Sequence, residues 1–329
     1  NSGPFQVVSP NIGEVYKAGE IINVLWNVNN TDKAPVNCKY VDIYLSKANA
    51  LHTSEPNLTL LEGRVPNNGS AFIQLPDITG ADARILIKAQ DNIFFDISNF
   101  RFTINQATDP TAYFKSNKYY EKLCLPATST VSIESDAIAG YTGELSFGVS
   151  ALPDGVSFST TKEKITAGDN NELRFEISNS VPSGLYSISY FAVTDNNDTL
   201  WKKLELEVTS TDFSALQALT PVNGEKDAEL PTKKKKKSIN ATGYVIEVSK
   251  DPTFASIEFS KETADTFYRH FKTFDKKSVY FWRVKAFNGC QGGDWTELKG
   301  FGTLVADCKN YSATGLPINI SASGLPTIQ

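Results

Sequence analysis

Scarce reactive residues limit what chemistry a chain can do, and this one has two histidines, His52 and His270, and four cysteines in 329 residues. A zinc hydrolase site wants neutral imidazoles at i and i+4 with a glutamate base between them. The two histidines stand in different predicted domains, neither sits in HExxH, and His52 reads as a loop residue in ALHTSEPN. No GxSxG, no GKS/T phosphate loop and no Cys–His–Asn signature occurs, so a nucleophilic triad has little to draw on. Glycosidase chemistry needs only two carboxylates, and nothing in the spacing of the 37 acidic residues singles out a pair. The expectation is a chain without catalytic residues of its own, requiring no cofactor.

Cation binding has a better candidate. DNIFFDISN places Asp91, Asn92 and Asp96 around a strand end, and hard cations such as calcium want several such oxygens in one loop. The same residues are default hairpin formers through their own backbone hydrogen bonds, and the acidic DNND at 195–198 reads as a turn for that reason. A second candidate is the run Lys233, Lys234, Lys235, Lys236 and Lys237, in a chain of formal net charge −5. As a site it would be an anion patch; as structure it would be a solvated loop, or an edge strand guarded against aggregation. A third reading is that the run stands where the fold calls for other residues. Five adjacent lysines cannot alternate into a core, so this strand is expected to be missing, displaced to an edge or mobile. Paired aromatics, Tyr119–Tyr120 and Phe267–Tyr268, offer rings of which only one per pair can face a core.

Cys38, Cys124, Cys290 and Cys308 form no CxxC, a spacing that disfavours a zinc knuckle and suits disulfides in an oxidising compartment. Cys290 and Cys308 both fall at the end of the chain and are expected to pair, with a Cys38–Cys124 bridge between neighbouring domains as the companion. The acidic balance, with pI 5.3, excludes nucleic acid as a partner for the whole surface. No apolar run is long enough to span a membrane. Beginning at Asn1 without methionine, the chain reads as a mature or excised segment. The expected location is secreted or cell-surface.

The elements that must position these residues are short alternating runs closed by Gly, Pro, Asn and Asp, which predict an all-β chain of tandem Ig-like and fibronectin type III-like β-sandwiches. We expect an Ig-like sandwich over 1–106, a second over 107–210, a fibronectin type III-like one over 211–305, and a tail or truncated further domain over 306–329. Trp26, inward in IINVLWNV, is the expected anchor of the first core. In the third, Phe274, Ser278, Tyr280, Trp282, Val284 and Ala286 resemble the turn into strand F of a fibronectin type III module. Tyr280 would be the corner tyrosine that bonds back to upstream backbone, and Trp282 a core ring.

Longer stretches carry a resemblance. FQVVSPNIGEVYKAGEIINVLWNV through NCKYVDIYLS, with RVPNNGSAFIQLP and ARILIKAQDNIFFDISNFRFTI, resembles a β-sandwich domain that follows the catalytic domain in secreted reprolysin-like zinc metalloproteases of Bacteroidetes. CLPATST and YTGELSFGVSALPDGVSFS resemble the next domain there, GYVIEVSKDPTF and VYFWRVKAFNGCQGGDW the fibronectin-like one, and CKNYSATGLPINIS the start of a proprotein-convertase P-domain. The likeness departs at the lysine run, which replaces a tryptophan-bearing strand, and the family's HExxH domain is not in this chain. It implies a non-catalytic accessory region, a spacer and substrate- or surface-binding arm, with a catalytic domain as covalent neighbour upstream. It also implies O-glycosylation at Asp198-Thr199-Leu200. The alternatives are a free-standing adhesin or carbohydrate-binding protein, and an enzyme with an unrecognised carboxylate site; the extracellular protein or glycan ligand is unknown.

Overall fold

The structure is a computed structural model describing residues 4–47, 58–226, 238–269 and 274–303, and the backbone of 232–235. The described residues form 25 strands and no helix, as the alternating pattern predicts. His52, His270, Lys236, Lys237, Cys308 and the tail that resembles a P-domain start lie outside the described residues.

The first strands are β1 (Gln6–Ser9), β2 (Val15–Lys17), β3 (Ile21–Asn27), β4 (Tyr40–Ser46), β5 (Leu58–Pro66), β6 (Ser70–Gln74), β7 (Gly80–Ala89), β8 (Phe95–Ile97) and β9 (Phe102–Asn105). They build one sheet in the order β1-β3-β6 and a second in the order β2-β9-β7-β4-β5, with β8 also paired to β7. Alternation places Ile22, Val24 and Trp26 of β3 against Val41, Ile43 and Leu45 of β4 in one core. The indole of Trp26 is 3% exposed, so its N–H needs a partner, and it donates to Asn67 Oδ1 at 2.9 Å. The Asn67 amide donates onward to Thr31 Oγ1 and the Cys38 carbonyl, so no polar group in this corner is left unmatched.

Next come β10 (Thr111–Ser116), β11 (Tyr120–Cys124), β12 (Ala127–Ile138), β13 (Glu144–Val149), β14 (Val156–Thr160), β15 (Lys164–Thr166), β16 (Asn170–Ile177), β17 (Gly184–Thr194) and β18 (Thr199–Thr209). Their sheets are β10-β12-β16-β14 and β11-β18-β17-β13-β15, bridged by ring contacts of Phe114 and Phe175 with Tyr190. The acidic DNND forms the turn between β17 and β18, closed by Thr194 N–H on the Asp198 carbonyl at 3.0 Å.

The last strands are β19 (Ala218–Thr220), β20 (Thr232–Lys235), β21 (Gly243–Ser249), β22 (Phe259–Thr263), β23 (Phe267–Arg269), β24 (Val279–Phe287) and β25 (Lys299–Gly302). Three strands, β19-β20-β23, face four, β22-β21-β24-β25, the fibronectin type III arrangement. Trp282 is fully buried and donates Nε1–H to the Pro221 carbonyl at 3.1 Å. The Tyr280 hydroxyl accepts the Asp275 N–H at 3.1 Å, five residues upstream.

The lysine run departs from expectation. β20 is the middle strand of its sheet, with Lys234 paired to Thr220 on one side and Phe267 on the other. A ladder is made by backbone groups, which lysine carries like any other residue, and two neighbours are present to pair with them. The strand is neither missing nor at an edge.

The cysteine pairing is also corrected. Cys290 is bonded to Cys124, 166 residues away with Cα atoms 5.6 Å apart, so it does not pair with Cys308. Cys38 does not bridge to Cys124: it is a buried free thiol, donating to the Tyr40 carbonyl at 3.2 Å, and burial raises its pKa. Hydrogen bonds through the 210–211 segment, remote in sequence from both cysteines, bring the true partners together. Thr211 Oγ1 donates to the Leu125 carbonyl at 2.9 Å and Asn288 Nδ2 to the Ser210 carbonyl at 2.9 Å, which stitches three remote segments into one corner.

By compactness the chain divides into two units. One comprises residues 1–122, 128–176 and 185–207; the other comprises 123–127, 177–184 and 208–329 and contains the disulfide. Among the described residues no helix is long and apolar enough to cross a membrane.

Candidate functional site

The site begins with a glycine in a strand. In LEGRVP the register of β5 against β4 slips, with Val41 opposite Val65 but Ile43 opposite Glu62, so Gly63 and Arg64 form a β-bulge. A Cβ on Gly63 would lie 2.6 Å from the Tyr119 ring, so glycine is what permits that ring to press on the backbone. Arg64 takes a left-handed φ of 54°, rare for a residue with a side chain. Its N–H, freed from the ladder, donates to Asp42 Oδ1 at 2.8 Å. A bulge turns a side chain in a new direction, and here it aims a guanidinium between two tyrosines. Arg64 Cζ lies 4.0 Å from the Tyr40 centroid and 3.8 Å from that of Tyr120.

The carboxylates facing these groups come from alternate positions of β18. Glu205 Oε2 meets Arg64 Nε at 2.5 Å, with the two side chains 9% and 11% exposed. One turn of the pleat further on, Glu207 accepts the Tyr120 hydroxyl and lies 3.4 Å from Lys122 Nζ. Gln90 completes the frame, donating to Asp42 Oδ1 at 2.7 Å. The cleft so formed has a volume of about 790 Å³, with Asn37, Lys39, Lys88, Asp91 and Asn92 around its rim. Lys39, Arg64, Lys88 and Lys122 line the cleft with three carboxylates, Asp42, Asp91 and Glu207, and a fourth, Glu205, neutralises Arg64 from behind the lining, so charge is balanced once that ion pair is counted.

The Tyr120 hydrogen bond, aided by Lys122, holds the Glu207 carboxyl below its ordinary value of 4.5. Burial and then the Glu207 carboxylate push the Tyr120 phenol up, and burial followed by the Glu205 charge does the same to Tyr40. A carboxyl lowered in the folded state adds stability above its unfolded value and loses it as pH falls through the lowered one. The Tyr120–Glu207 link is therefore expected to persist from neutral pH down to about 4.5 and to break only below it. Carbon-detected NMR titration of the Glu207 carboxyl checks this; a midpoint at or above 4.5 would contradict it.

The structure separates the calcium candidates. Asp91 and Asn92 sit exposed in the turn at the cleft rim, where Asn92 Oδ1 accepts the Ile93 N–H at 3.0 Å. Asp96 points elsewhere, accepting the Val7 N–H at 2.7 Å. Among the described residues no group of three or more His, Cys, Asp or Glu gathers to hold a metal. Of the aromatic pairs, Tyr119 presses on Gly63 while Tyr120 lines the cleft. Tyr268 stacks on Phe259 at 5.3 Å while Phe267 is 56% exposed. Tyr40, Arg64, Glu205 and Glu207 carry no motif; the one local signal was a glycine inside a strand pattern, which marks a bulge or a close approach.

No protein-family model and no curated protein matches this chain. Solved structures do resemble it. The chicken CNTN1 FN1–FN3 domains overlap it at 13% identity and a TM-score of 0.26, over 92% of this chain and 99% of that one. Fibronectin(III)-like modules of Clostridium thermocellum CbhA overlap it at 15% identity and 0.20, over 62% of this chain and 93% of that one. Drosophila N-cadherin EC1–4 does so at 11% identity and 0.36, over 92% and 75%. Likeness of this order belongs to the architecture, a run of β-sandwiches, and not to a function.

Proposed function

We propose that this chain is a non-catalytic, ligand-recruiting arm of a secreted or cell-surface protein, with the Arg64 cleft as its recognition site. The observation that carries the reading is how the cleft's charges are arranged. A general acid needs a raised carboxyl, whereas Glu207 is lowered by Tyr120 and Lys122, and Glu205 is held by Arg64. Groups fixed on one another make a rigid surface suited to binding rather than proton transfer. The Cys124–Cys290 disulfide supports an oxidising compartment. The resemblance to metalloprotease accessory domains supports a further step, that the arm serves a catalytic neighbour in the same polypeptide.

The test is retention of the purified chain on immobilised matrix proteins and on a glycan array, with and without EDTA. Saturable binding with the ligand recovered intact is expected. Cleavage of the bound ligand, or no binding to either, would overturn the reading.

A further inference from the structure

Beside the cleft, the same sheet face continues into an aromatic platform. Along β18 the side chains of Trp201, Lys203, Glu205 and Glu207 alternate to one face, so Trp201 and the cleft end of the strand are roughly 20 Å apart. Trp201 is 54% exposed, although Trp26 and Trp282 are buried at 3% and 0%. Its ring is not loose. It packs on Phe191 at 4.7 Å, and Phe191 in turn covers its strand partner Gly148, where a Cβ would lie 2.8 Å from the phenyl Cζ. A glycine opposite a phenylalanine thus lets the phenyl ring lie over the strand, and the indole packs against it at 57°.

We propose that this strip, from Trp201 to the Arg64 cleft, binds a neutral oligosaccharide. The inference rests on the binding-arm reading and names its ligand class. A sugar ring offers an apolar C–H face to an exposed, pre-positioned indole, and hydroxyls around its rim to polar groups that both donate and accept. The electrical balance of the cleft fits an uncharged ligand better than an acidic one, because Arg64 and Lys122 already face Glu205 and Glu207. A protein partner is the less suited occupant: beyond Trp201 and Phe191 the strip turns to charge at Lys203, which breaks the apolar area a protein hot spot needs.

The experiment uses the full chain and its W201A and F72A variants on an array of neutral, uronate-bearing and sulfated oligosaccharides, beside the immobilised matrix proteins. Phe72 is 77% exposed on β6 of the first sandwich and serves as an aromatic control. Neutral glycans should be retained by the parent and by F72A, and W201A should weaken them about tenfold or more. Its thermal midpoint should be unchanged, since the indole is mostly in water. Ligand should shift tryptophan emission in the parent and leave W201A unaffected. Equal glycan binding by W201A, or binding of acidic glycans alone, would overturn the inference. Retention on matrix proteins without any glycan binding would sink it and leave the binding arm standing; retention on neither would sink both.

Discussion

Reducing the Cys124–Cys290 disulfide, or replacing both cysteines by serine, will destabilise the second unit by roughly 3–5 kcal/mol. The bond closes a loop whose ends are 166 residues apart, near the upper range for the chain entropy a crosslink removes from the unfolded state. Apart from it, the segments of this corner are joined by hydrogen bonds, among them Leu125 N–H to the Thr209 carbonyl, Thr211 to Leu125, and Asn288 to Ser210 and Asn240. Each is worth about 1 kcal/mol net, so they cannot replace the covalent link. Both cysteines belong to the second unit, and the effect should be confined there. Hydrogen exchange read by segment checks this: β21 and β24 should lose protection on reduction while β4 and β7 keep theirs. Equal loss in both units, or none, would refute it. Cys38 should not interfere, because it is 3% exposed with its thiol pKa raised by burial.

Arg64→Ala should cost the first unit about 3–5 kcal/mol, the range for removing one partner of a buried ion pair. Glu205 is 6% exposed and would lose the guanidinium that meets it at 2.5 Å. Two ring faces, on Tyr40 and Tyr120, would lose the guanidinium they clamp. A double variant, Arg64→Ala with Glu205→Ala, should recover much of the loss, because it removes the stranded charge as well. Arg64→Lys should recover little, since an ammonium cannot lie flat between two rings while meeting a carboxylate side-on. Urea unfolding with exchange monitored in β5 and β18 measures all three. A single-variant cost under about 1 kcal/mol, in the range of exposed pairs, would show that solvent reaches Glu205 and that the cleft is not the rigid frame described.

Both predictions turn on residues that local pattern left in the background. Sequence periodicity alone was enough for the all-β class, for the inward side chains of β3 and for the strand that carries Tyr280 and Trp282, because a pleated strand exposes alternate residues whatever it packs against. It also showed that only one ring of each aromatic pair could face a core, and Tyr119 and Tyr120 divide in that way. Which cysteines pair was beyond its reach, since disulfide partners are chosen by where remote loops converge, and Cys124 meets Cys290 through contacts of Thr211 and Asn288. Position in the sheet escaped it too: Lys233, Lys234 and Lys235 lie on a central strand because neighbours are there to pair with its backbone.

The cleft shows the division most clearly. Gly63 hinted at a bulge, but a bulge has a direction only once a partner strand and a facing surface exist. Tertiary structure decided that Arg64 would lie between Tyr40 and Tyr120, that Glu205 would meet it from 141 residues further along the chain while Glu207 met Tyr120 and Lys122, and that Trp201 would stand exposed on the same strand. Side-chain alternation is a property of one strand and can be read from one strand; a site assembled from β4, β5, β11 and β18 is a property of their packing.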